Sequence, residues 1–260
     1  MYRRCRSFVL VLATGAMALP AQGGAPAGPD KEVGEKLAKL KEVVMDRKCA
    51  RDTEGLDLIT VLVKKWQAGL GDKDKAAVVK GLDGVLAQGK VREPDKTQIY
   101  TAAATALGQL GKDGAKPLQA AFDSDRFPRK EPWVPLRENL LKALGKTKDE
   151  SMVKFLVDVA RRSPEAGLQA AAGEALGNFD DSKEAIRKEI VNSLLIKYGE
   201  MDSRAHVINP ADIEAQNMRD RLAVVSGKWN ETLRKLTKQN FDTFPEWNEW
   251  YNKNKGNEWK

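Results

Sequence analysis

The sequence predicts an all-α fold, an α-solenoid of about five antiparallel helix pairs closed by a C-terminal aromatic cap. Three observations carry that prediction. A unit of small and apolar residues ending in glycine recurs at residues 99–108, 135–145 and 167–177, with a degraded copy at 218–227. The closing glycines lie 37, 32 and 50 residues apart, a spacing in the range of stacked helix pairs. Apolar residues elsewhere recur every three or four positions and nowhere alternate over a sustained run, so helix is expected and almost no strand. Finally, Trp229, Trp247, Trp250 and Trp259 crowd into the last 32 residues; a stack of helices must cover its open end, and Phe241, Phe244, Trp247 and Trp250 are placed to do so, with Trp259 near a frayed end as the exception and a sugar-stacking platform as the other reading.

In chain order, the first element is a targeting segment. Arg3, Arg4 and Arg6 precede an apolar run at residues 8–19, and small residues follow as far as Ala25. The run is too short to span a bilayer and has the flanks of a cleaved signal peptide. Residues 1–25 are therefore expected to direct export, to the periplasm or outside the cell; an uncleaved N-terminal anchor is the other reading. No later segment is apolar enough to be a transmembrane span. Residues 26–31 read as a flexible linker, 32–240 as the repeat domain and 241–260 as the Trp-rich cap. Removing residues 1–25 takes away three arginines and no acid, which lowers the net charge from +7 to +4. That balance, with no block of like charges, does not argue for nucleic acid. Cys49 is then the one cysteine left, so no internal disulfide is possible and stability rests on the core. Cys49 reads as a half-buried helix residue; a reactive thiol beside Arg47, Lys48 and Arg51 is the alternative.

The periodic segments pair as 32–48 with 54–69, 72–88 with 95–110, 113–123 with 136–145, 149–162 with 164–177, and 182–198 with 210–226. Val33, Leu37, Leu40 and Val44 set the first stripe, and Leu58, Leu62 and Trp66 the second. Asp72, Asp95 and Ser182 stand where N-caps belong, and Pro164 and Pro210 at first helical positions. Gly108, Gly145 and Gly177 stand near helix C-termini, where a left-handed residue ends a helix at little cost. Gly81 and Gly84 fall inside the third helix, each costing roughly 1 kcal/mol against alanine. Alanine concentrates in the second member of each pair, as at Ala102, Ala103, Ala104 and Ala106, and again at Ala170, Ala171, Ala172 and Ala175. Such small side chains allow close helix stacking.

An Ala-rich second helix ending in Ala-Leu-Gly, followed by a charged turn and a new first helix, resembles HEAT repeats, especially the HEAT-like repeats of exported bacterial proteins. The tail resembles the segment that closes such arrays, in which a Leu-Thr-Gly-x-x-Phe element precedes spaced tryptophans. Here Leu236, Thr237 and Phe241 are followed by Trp247 and Trp250, with Lys238 where the pattern favours glycine. The resemblance spans about residues 72–255. It implies a scaffold or binding surface and brings no catalytic residues with it.

The connections supply the candidate site. Turns from a second helix to the next first helix are short, whereas connections within pairs are long at 89–94, 124–135 and 199–209. In a solenoid these long connections share one edge, and insertions on one edge often form the working surface. The 124–135 segment carries Arg126, Phe127, Arg129 and Trp133 between prolines, a mixture of aromatic and guanidinium groups suited to protein contact. The other reading folds Phe127 and Trp133 back onto the repeat. The 199–209 segment adds Arg204 and His206, the chain's only histidine; a hydrogen-bonded loop role is its plainer reading.

With one histidine and one cysteine after cleavage, the usual zinc sets are excluded. No phosphate loop, dinucleotide fingerprint or nucleophile elbow is present. No cofactor, no metal and no catalytic residue is therefore assigned. The expected role is an exported, non-catalytic scaffold for a protein partner, not nucleic acid. A lyase-like enzyme or enzyme subunit holding a small ligand in the concave groove is the alternative.

Overall fold

The computed structural model describes residues 29–207 and 211–259. Among them are eleven α-helices and no strand. They are α1 (Lys31–Met45), α2 (Asp52–Gly69), α3 (Asp72–Ala87), α4 (Gln98–Gln109), α5 (Ala115–Asp123), α6 (Val134–Lys146), α7 (Val153–Arg162), α8 (Ala166–Leu176), α9 (Glu184–Ala205), α10 (Ile213–Thr237) and α11 (Phe244–Asn254). The expected signal peptide lies outside the described residues. Of the expected linker, Asp30 and Lys31 belong to the start of α1, where the Asp30 carboxylate accepts from the amides of Glu32 and Val33.

The helices pack in a row. α2, α4, α6, α8 and α10 each lie against the next, and each also packs on the odd-numbered helix that precedes it. α1, α3 and α5 are likewise in contact in sequence, as are α7 and α9. Each helix turns its three-and-four stripe inward: α1 buries Val33, Leu40, Val43 and Val44, and α3 buries Val78, Leu82, Val85 and Leu86. Each such burial contributes about 1.5–3 kcal/mol. Between α5 and α7 the contact thins to an edge-to-face pair, Phe122 on Phe155, at 5.6 Å. α5 is short and ends at Asp123, which leaves a cleft beside it.

The repeated glycines have a different cause from the expected one. Gly108 and Gly145 lie inside α4 and α6, Gly177 has φ −66, and none of the three is left-handed. They face the next helix of their layer instead. A Cβ on Gly108 would meet the Ala143 carbonyl oxygen at 2.8 Å, and one on Gly145 the Ala175 carbonyl oxygen at 2.5 Å. The repeat of glycine thus records close backbone approach between neighbouring even-numbered helices. Left-handed backbone occurs at Lys148 and Lys238, among others, and at Cys49. Cys49 is half-buried but sits in the turn between α1 and α2, not in a helix.

Other boundaries also moved. Asp72 begins α3 rather than capping it, and the side-chain caps that form are Asp30, Asp149, Asp212 and Thr243. α9 runs on to Ala205, so most of the expected 199–209 loop is helix, and α10 runs on to Thr237 with Gly227 in its interior.

The tail folds onto α9 and α10. Trp247 is fully buried, meets Phe241 edge-to-face at 5.0 Å and donates from Nε1 to Asn230 Oδ1 at 3.0 Å. Trp259, expected near a frayed end, is buried as well. It rests on Trp250 and Tyr251, and Arg187 of α9 donates to its carbonyl. Trp229 fills the space over Gly173 and donates to the Gln169 carbonyl at 3.1 Å, which joins α10 to α8.

Candidate binding cleft

Buried arginines organise the connections between paired helices. Arg92, in the α3–α4 connection, is 3 % exposed and every nitrogen of its guanidinium is engaged. Nε and Nη2 grip Asp52 at 3.1 and 2.8 Å, Nη1 donates to the carbonyls of Val44 and Lys90, and Nη2 also donates to that of Val43. The Asp52 hydrogen bond holds the Arg92 pKa above its ordinary value, against the opposing effect of burial. This group ties the end of α1 to the start of α2.

The 124–133 connection is bound to its neighbours in a similar way. Arg126 donates from Nη2 to the carbonyls of Gln88 and Gly89, and its guanidinium lies over Phe127 at 5.9 Å and Tyr100 at 6.0 Å. Phe127 is fully buried, 5.0 Å from Tyr100 and 5.7 Å from the half-buried Trp133. Phe127 therefore belongs to the core, because the connection folds back over α4 and removes the ring from water. Arg129, by contrast, is exposed. At the α9–α10 junction, Arg204 pairs with Asp212 and Glu214, and the exposed His206 rests its Nδ1 against the Asp202 carbonyl oxygen. No hydrogen bond, ion pair or ring contact among the described residues joins these two groups. Along the row the α7–α8 pair lies between them.

Arg129 lines the cleft between α5 and α7, a space of about 350 Å³. Its apolar wall is Phe122, Phe155, Val159 and Leu168. Set into that wall is Arg137 of α6, 1 % exposed, with its guanidinium 4.0 Å above the Phe122 ring centre. Nη1 donates to the Phe127 carbonyl at 2.9 Å. Nε is buried without a partner, and Nη2 donates to none of the described residues. Burial, reinforced by the nearby Arg129 and partly offset by Asp123, pushes the Arg137 pKa down to about 10. It is still a cation at neutral pH.

Sequence reading had not singled out Arg137, although a signal existed. Tyr100, Arg137 and Gln169 each stand eight residues before a repeat's closing glycine, and all three are buried. Tyr100 accepts from the Arg92 amide; Gln169 accepts from Arg221, which also holds the carbonyls of Ser163 and Pro164. The position uses a polar tip to hold the connection before its own helix. A guanidinium there has more donors than that task uses.

No described helix is long and apolar enough to cross a membrane, and no described group of three His, Cys, Asp or Glu side chains is placed to hold a metal. No protein-family model, curated protein or solved structure matches the chain.

Proposed function

We propose that the chain is an exported scaffold, a HEAT-like α-solenoid of antiparallel pairs whose tail caps the last pair and whose connection edge binds a protein partner. The observation that carries this reading is the 124–133 connection. Its inner half is pinned by Arg126 and Phe127, while Arg129 and Lys130 stand exposed beside a half-buried Trp133. A connection ordered in advance loses little entropy on binding, and an exposed guanidinium beside an aromatic is a favourable anchor. The row of helices supplies the extended frame, and Arg204 and His206 extend the same edge.

Affinity capture from the periplasmic fraction of the source cell, with the wild type and the Arg129→Ala variant as baits, tests this reading. Arg129 is exposed and forms no ion pair among the described residues, so the substitution leaves the fold intact. A partner held by the wild type and lost or weakened by about tenfold or more in the variant supports the edge. A partner held equally by both moves the contact elsewhere.

The enzyme alternative has one observation in its favour. Burial raises the Glu138 pKa on α6, where Lys142, Glu174 and Lys228 also act on it. If binding survives Arg129→Ala but falls with Glu138→Gln, the layer of even-numbered helices is the working surface.

A further inference from the structure

Arg137 is a poor structural element by the standard this same chain sets. Arg92 is buried to the same degree and has all three nitrogens engaged, two of them on a carboxylate. Arg137 has one engaged nitrogen, a ring contact with Phe122 and no ion-pair partner among the described residues. An unpaired buried charge is costly, and a protein free to place a leucine there would gain stability. The guanidinium sits on the wall of the cleft, so the cleft is where its missing partner fits.

The other cleft residues narrow that partner's chemistry. Phe122, Phe155, Val159 and Leu168 require an apolar body. Asp123, Asp158 and Glu165 also line the space, and Asp158 is 3.7 Å from Arg162. Arg129, Arg137 and Arg162 balance these carboxylates, so the lining has no excess positive charge to hold a phosphate, nucleic acid or a di- or tricarboxylate. The volume, about 350 Å³, lies at the small end of ligand pockets, which run from about 300 to 1,000 Å³. We propose that the cleft between α5 and α7 binds a monocarboxylate on an apolar body, with the carboxylate accepting from Nη2 of Arg137 and the body lying against Phe122, Phe155 and Leu168. The carboxylate comes either from a free small acid or from the C-terminal residue of a chain. This goes beyond the edge contact of Arg129, which also lines the cleft, and rests on Arg137 rather than on that contact.

The test is an NMR titration of the full chain with 3-phenylpropionate, 3-phenylpropionamide and inorganic phosphate. The acid is expected to shift the resonances of Phe122, Phe155, Val159 and Leu168, and to bind at least about tenfold more tightly than the amide. Arg137→Met is expected to bring the acid down to the affinity of the amide. A tripeptide ending in a free C-terminal phenylalanine, run against its amidated form, separates the sources. Tighter binding than the free acid places the carboxylate at a chain end, and weaker binding makes the ligand a small acid. Equal affinity for acid and amide overturns the proposal, and both are measured on the wild type, so the result does not depend on how Arg137→Met folds. Phosphate binding as tight as the acid, or no shift at these residues by about 10 mM acid, overturns it too.

Discussion

Replacing Arg92 with methionine tests how the N-terminal pairs are held together. The guanidinium donates five hydrogen bonds: two to Asp52 and one each to the carbonyls of Val43, Val44 and Lys90. Methionine keeps most of the aliphatic volume and none of the donors. Three carbonyls lose a donor, but Val43 keeps the Asp46 amide and Lys90 the Tyr100 hydroxyl, so the cost of a buried polar group left without its partner, about 1–3 kcal/mol, falls in full on Val44 alone. Asp52 loses its cation but keeps 24 % of its side chain in water and the positive end of α2 beside it, which discounts its share. The net effect falls in the range for a broken buried pair, about 3–5 kcal/mol, equivalent to a fall of about 6–20 °C in melting temperature for a chain of this size. Thermal and urea unfolding followed by circular dichroism measure it. Arg137→Met is the matched control: it leaves the Phe127 carbonyl without a donor and removes the ring contact with Phe122, a loss of about 1–3 kcal/mol set against the relieved desolvation of a charge with no ion-pair partner, so the net change is expected to be less than about 1 kcal/mol or a gain. A loss below about 1 kcal/mol for Arg92→Met, or equal losses for the two variants, would refute the reasoning that pairing separates them.

Two further substitutions probe the backbone. Gly145→Ala places a Cβ 2.5 Å from the Ala175 carbonyl oxygen; the forced separation of α6 and α8 is expected to cost about 1–3 kcal/mol despite alanine's better helix propensity, and an unchanged or raised melting temperature would show that the glycine is not needed for the approach. Lys238→Gly relieves a left-handed lysine at φ 59 that ends α10 and is expected to gain up to about 1 kcal/mol, less whatever its 3.4 Å contact with Asp180 contributes; a drop in melting temperature would mean that the contact outweighs the strain.

The helices were legible because their apolar spacing acts locally. Leu40 and Val44, or Leu82 and Leu86, lie one turn apart, and burial simply follows that stripe. What was illegible depended on partners distant in the chain. Gly145 looked like a helix terminator because glycine usually is one there; its true constraint, Ala175, is thirty residues on. Lys238, marked as the departure from the closing pattern, does occupy the left-handed position where glycine is favoured, so the turn survives the substitution. Phe127 was divided between contact and core because a loop sequence does not say which way it folds; the ring stack with Tyr100, twenty-seven residues earlier, decides for the core. Trp259 looked frayed by its place near the end, yet Trp250, Tyr251 and Arg187 hold it.

The position eight residues before each closing glycine joins architecture to chemistry. Its task is to hold the preceding connection, which Tyr100 does directly and Gln169 through Arg221, both with neutral side chains that a helix interior tolerates when hydrogen-bonded. The Arg137 guanidinium adds donors that the connection does not use and a desolvation cost that the Phe127 carbonyl and the Phe122 ring recover only in part. Stability alone therefore does not account for arginine at this position, whereas an anion entering the cleft does. The thin contact between α5 and α7 has the same logic. Closing that gap would bury Phe122 and Phe155 more completely and add packing, but it would seal the guanidinium from any partner. Other clefts lie between α1 and α3 and between α3 and α5, but neither is lined by a buried arginine without an ion-pair partner, and that is what marks the α5–α7 cleft as the place for an anion.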